Sequence, residues 1–172
     1  VEFEVEALRR EGVEDADWAA MASFNERAGE LQRVAMGANA AAQDAAEQLT
    51  AIAQAVQTRP QVDPSLLEEV QAMQRLTDLR EELSGDPTMA RRSEPSMPGI
   101  MNRLFSAIGG AWSTSNGATQ THMEQLEIAS AQLEDLLPRM QTLIEGDLPA
   151  LHQRLEEAGV AWTPGRGVPR WQ

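Results

Sequence analysis

The sequence predicts an all-α fold: an antiparallel helical bundle with one very long alanine-rich helix, a helical hairpin, one short helix and a long kinked last helix, with extended segments at both ends. Two heptad seams and the positions of the prolines carry this reading. Phe24, Leu31, Ala38, Ala45 and Ile52 lie seven residues apart, and Ala28, Ala35, Ala42, Leu49 and Val56 form a second series offset by four. Paired series of this kind place one continuous apolar stripe along a helix, the a/d seam of a coiled coil. A second seam runs through Leu126, Leu133 and Met140 together with Ala129, Leu136 and Leu143. Between the two seams Pro60, Pro64, Pro87 and Pro98 stand where one helix must end and the next begin, because proline lacks the amide a helix interior needs but fits its first turn. A chain of 172 residues suits one domain that buries its own core without metal or disulfide staples, and it contains no cysteine.

Residues 1–14 read as an extended lead-in. Val1 to Leu8 alternates apolar and acidic residues, the period of a half-exposed strand. A lone strand has no partner inside a helical domain, so Phe3 and Val5 are expected either to fray or to add to the sheet edge of another domain or protein. Asp15 or Asp17 then caps a first helix over 15–58, about 60 Å long at ~1.5 Å per residue. Its seam is bulky at the ends and small in the middle, which predicts closest helix approach around Ala38, Ala42 and Ala45. Pro60 ends it, and Asp63 with Pro64 opens a second helix over 64–84 whose apolar face runs from Leu66 to Leu83. The connection is short, so the second helix folds back along the first.

Gly85, Asp86 and Pro87 stop that helix, and Thr88 to Met97 reads as a mobile linker. Arg91 and Arg92 stand out there in an acidic chain, with an ordinary solvated loop weighed against a contact to phosphate or an acidic partner. Pro98 opens a short helix over 98–111 bearing Ile100, Leu104, Phe105 and Ile108. The last helix is expected over 119–158, capped through the spacing of Thr121 and Glu124. Pro138 should kink it, and Gly146, Asp147 and Pro149 should kink it again or restart it. Residues 160–172 form an extended tail carrying Arg166, Arg170 and Trp171.

The chemistry-bearing residues assemble no catalytic set. A di-iron site in a bundle requires Glu-x-x-His on facing helices, yet Thr119 precedes His122 by three and Pro149 precedes His152 by three. Both histidines are therefore expected at the surface. No nucleophile elbow, phosphate-binding glycine loop or dinucleotide fingerprint occurs. A net charge of -13 repels phosphate backbones and argues against nucleic acid as a partner. Aspartates and glutamates are spread over outward faces, where solvation explains them. No apolar run approaches the roughly 18 residues of a spanning helix, so no transmembrane segment of its own is expected. These residues predict a non-enzyme with no catalytic residue, cofactor, metal or small-molecule substrate, whose partners are protein subunits. The candidate partner-binding residues lie at the two ends: Phe3 and Val5 on the lead-in, and Arg166, Arg170 and Trp171 on the tail, where a tryptophan beside an arginine makes an anchor of the kind enriched in interface hot spots.

Three pieces of the chain, in order, resemble the C-terminal helical extension of bacterial sortilin-like, BNR-repeat propeller proteins: Glu2-Phe3-Glu4-Val5, the helix from Met101-Asn102-Arg103-Leu104 to Gly109 with the Ser/Thr-rich loop after it, and Asp147-Leu148-Pro149-Ala150-Leu151 to Ala158-Gly159. That family is extracytoplasmic and often labelled glycosyl-hydrolase-like, and its propeller relatives include photosystem II stability and assembly factors. The resemblance implies a strand leaving a propeller, a helical hairpin, a short helix and a long last helix, with no catalytic residue in this region. It implies a periplasmic or otherwise extracytoplasmic protein, peripheral to the membrane, that fastens as a structural subunit onto a larger assembly such as a photosynthetic reaction-centre complex. Two departures stand against it: there is no propeller in this sequence, and the chain runs on past Gly159. Because the chain starts at Val1 without a basic-then-apolar leader, it is expected to be a processed product or a piece of something longer. Two other functions stay open, the helical extension of a propeller enzyme or sugar-binding protein whose active part is absent here, and a soluble helical adaptor or chaperone.

Overall fold

A computed structural model describes residues 15–58, 63–73, 75–113 and 117–169. The lead-in 1–14 with Phe3 and Val5, the side chains of Asp15 and Asp17, and the last residues with Arg170 and Trp171 lie outside the described residues. The elements are α1 (Asp15–Gln57), α2 (Pro64–Ala72), α3 (Arg75–Ser84), α4 (Pro87–Arg92), α5 (Ile100–Ser113), α6 (Gln120–Gln141), a π-helical turn (Thr142–Asp147) and α7 (Leu148–Glu157). No strand occurs among the described residues. The fold is all-α, and its helices form three antiparallel legs.

The first leg is α1 alone, unbroken for 43 residues, or about 64 Å at ~1.5 Å per residue. Its two heptad series face the other legs: Phe24, Ala28, Ala35, Ala42, Ala45, Ile52 and Val56 are buried, and Leu31, Ala38 and Leu49 pack against them half-buried. Steps of four and three alternate without a fault along this stripe, so the helix needs no local distortion to keep it inward.

The second leg returns as α2, α3 and α5. Asp63 caps α2, its side chain accepting the Ser65 amide at 2.9 Å, a bond that holds the Asp63 carboxyl below its ordinary range. The expected single helix over 64–84 is divided at Met73. Its buried residues Val70, Met73, Leu76 and Leu79 advance by three successive steps of three, too short for an α-helix to hold on one face. The chain re-phases with a tighter turn in which the Leu76 amide donates to the Met73 carbonyl at 2.9 Å. The expected linker also holds structure: Asp86 accepts the Thr88 and Met89 amides at 2.7 and 3.3 Å and starts α4, which ends at Ser93 in the left-handed region with φ 54°. α5 then begins at Ile100, two residues later than expected. It resumes where α3 stopped: a methyl group on Gly99 would stand 2.7 Å from the Ser84 carbonyl carbon and 3.0 Å from the Leu83 oxygen. Residues 85–99 are thus an excursion from a leg that would otherwise be continuous.

The third leg is α6, the π-helical turn and α7. Its cap is Thr119 rather than Thr121: the Thr119 hydroxyl oxygen accepts the His122 amide at 3.4 Å, and His122 Nδ1 accepts the Thr119 amide at 3.2 Å. The imidazole fills the place of the carboxylate in a capping box. The helix runs through Pro138, and near Gly146 it neither stops nor restarts. Leu126, Ala129, Leu133, Leu136, Met140 and Leu143 are buried at alternating steps of three and four, but the next buried residue is Leu148, five later. A π turn absorbs one extra residue, so Leu148, Leu151 and Leu155 stay on the core side. It also removes the narrow α turn in which the Pro149 ring would press on the carbonyl four residues before it.

Arginine side chains join the second leg to the third. Arg139 forks onto Glu82 (Nη1 to Oε1 3.0 Å), Arg154 pairs with Glu69 and reaches Ser65 Oγ at 3.3 Å, Arg75 reaches Asp147 at 3.4 Å, and Arg103 donates to Gln125 at 2.9 Å. Exposed pairs of this type contribute about 0–1 kcal/mol each. They link the two legs at the surface, while the apolar core supplies most of the stability.

Candidate interaction surface

The tail after α7 folds back onto the bundle. Val160 is buried in the core and Thr163 beneath the turn that follows. Gly165, at φ 88°, lies against Gln48 of α1 and His152 of α7; a methyl group there would stand 2.6 Å from His152 Cε1. Arg166 closes this clasp. Its side chain, only 7% exposed, pairs with Glu156 and donates to the carbonyls of Val160 and Ala161 at 3.0 and 3.1 Å. Trp162 bridges outward, its indole N–H shared between the carbonyls of Arg166 and Gly167 at 3.2 and 3.0 Å. Of the five residues singled out for partner binding, Arg166 alone is described, and its charge is committed inside the chain. His152, expected at the surface, is half-buried, and burial foremost, with the nearby Arg166 charge second, lowers its pKa from the ordinary 6.5.

Trp162 and Val168 leave the tail with exposed apolar surface of its own, and more lies on the helices. On α5, Phe105 and Trp112 are exposed, Trp112 by 77%, and exposed Gly109 sits between them at i+4, with no other atom near the place of its missing side chain. Spacing of four and three puts all three on one helix face. Beside Trp112 a hollow of about 210 Å³ is lined by Met21, Phe24 and Ala118, and exposed Trp18 stands one turn before Met21 on α1. In the sequence Phe105 is legible only as one apolar residue of the short helix, with no face assigned to it. The core of α5 is Ile100, Leu104, Ala107, Ile108 and Ala111, which leaves Phe105 on the opposite side.

A groove of about 930 Å³ runs between α3, the excursion and α6. Asp78, Glu81 and Glu82 line it from α3 and Asp135 from α6, while Met89 and Met97 line it from the excursion. Arg139 pairs with Glu82 and Asp135, and the Glu82 carboxyl is held below its ordinary range by that hydrogen-bonded arginine. Sequence reasoning treated these acids as separate solvated faces because nothing in one helix tells which acid on another will face it. Among the described residues no group of three or more His, Asp or Glu side chains is arranged to hold a metal ion, and no described helix is long and apolar enough to cross a membrane. No protein-family model, no curated protein and no solved structure matches this chain.

Proposed function

We propose that this protein is a non-catalytic structural and interaction subunit that fastens onto a larger protein assembly. The observation that supports it best is the stripe of Phe105, Gly109 and Trp112, exposed on a bundle whose core is already filled from other positions. Large apolar side chains gathered on one face of a finished fold mark a protein interface, and tryptophan is the residue most enriched where binding energy concentrates. The resemblance to the helical extension of sortilin-like propeller proteins supports an extracytoplasmic, membrane-peripheral place for that assembly, with a photosynthetic reaction-centre complex as the specific candidate.

The test is native electrophoresis of extracts from the source cells, probing for this chain. The proposal expects migration far above the mass of one chain, lost in a Phe105→Ser/Trp112→Ser variant whose circular dichroism is unchanged. A wild-type chain that migrates by itself in both soluble and membrane fractions contradicts it.

A further inference from the structure

We infer that the groove between α3, the excursion and α6 receives a basic amphipathic helix of a partner protein; this deepens the reading of the chain as an interaction subunit and rests on it. The excursion itself is the first argument. Residues 85–99 leave the second leg and return to the same point, with Gly99 packed against the backbone at the end of α3. α4 buries no side chain, so the core gains nothing from the detour. What the detour does provide is one wall of the groove, where it sets Met89 and Met97 beside the acids of α3, with Met97 80% exposed.

Charge is the second argument. Among the described residues five carboxylates line the groove, those of Asp78, Glu81, Glu82, Asp86 and Asp135, and no arginine does; Arg139 engages two of them from outside the lining. The α3 and α6 sides are therefore anionic, and the excursion adds the two thioethers beside Asp86, whose carboxylate caps α4. A helix with Lys or Arg along one edge and a bulky apolar residue on the adjacent edge matches both walls, since methionine adapts to varied apolar shapes and helix-in-groove binding reads an apolar face with charged flanks. A second copy of this chain, at -13, would bring like charge to like.

The probe is a synthetic helical peptide of leucine and lysine in amphipathic order, with a leucine and glutamate peptide as its counterpart, titrated by calorimetry into the full chain. The lysine peptide is expected to bind one per chain and the glutamate peptide not at all. Asp78→Asn/Glu81→Gln should weaken binding between about threefold and tenfold and flatten its salt dependence, and Met97→Ser should weaken it without altering that dependence. Glu127→Gln, which removes a charge from α6 at an exposed position outside the groove lining, should change nothing. Absence of binding, or equal weakening by Glu127→Gln and the groove variants, overturns the inference. Its failure is separable from failure of the functional reading: a chain that still migrates in a large native complex, yet shows no groove-dependent peptide binding, assembles through another face.

Discussion

Ala42 is wholly buried where α1 is narrowest, and its environment follows from its size: two neighbouring legs approach a helix closely only where the side chains between them are small. Ala42→Leu should overpack this site and destabilise the protein by roughly 1–3 kcal/mol, read as a lowered midpoint in urea or thermal unfolding; an unchanged midpoint would put this face outside the core. Single residues were unevenly legible in the sequence. The ten seam positions of α1 could be named because a heptad is a property of one helix. The cap of α6 was misplaced because a carboxylate was sought three residues after the threonine, whereas the imidazole of His122 accepts the same amide. Phe105 could not be given a face, because a short helix with apolar residues on more than one side does not reveal which side meets its neighbours.

At the scale of elements, the spacing of buried residues explains each interruption. Alternating threes and fours give the unbroken α1, three consecutive threes give the division at Met73, and a five gives the π-helical turn after Gln141. These intervals are all in the sequence, yet 64–84 reads as one unbroken apolar face, and in the last helix the prolines and Gly146 suggest kinks or a restart instead. The account predicts that deleting Gly146 together with Pro149→Ala leaves the melting temperature near that of the wild type, since Leu143 and Leu148 then stand four apart in an ordinary α-helix. Deleting Gln132 instead should unfold much of the leg, because it rotates every later core residue by ~100°; equal damage from both deletions in thermal circular dichroism would refute the spacing argument.

The clasp formed by the tail has a pH dependence with a defined sign. The pKa of His152 is lower folded than unfolded, so the unfolded chain binds its proton more readily. The stability linked to it is present above the unfolded value of 6.5 and is lost as pH falls through the folded value. The charged group acting on it is Arg166 of the tail, which is paired with Glu156. The loss of melting temperature between about pH 7 and about pH 5 should therefore be smaller in His152→Gln than in the wild type. An equal loss in both would mean that this histidine does not contribute to the acid sensitivity.

On the scale of the whole molecule, three legs of similar length enclose one core, and the surfaces that remain exposed differ in kind. The all-α antiparallel architecture was legible because it follows from periodicity within helices. The candidate surfaces were not, because they arise between elements: the groove needs acids from α3 and α6 to meet the methionines of the excursion, and the stripe on α5 emerges only once the core has claimed the other side. The ends of the chain, where binding was expected, include a described segment whose arginine is tied to its own backbone. A photo-reactive residue placed at position 112, and in a separate variant at exposed position 44 of α1, tests directly whether the chain works as a binding subunit. Irradiation in the source cells should give one discrete high-mass adduct from position 112 and none from position 44. Adducts from both positions alike, or from neither, would contradict the account.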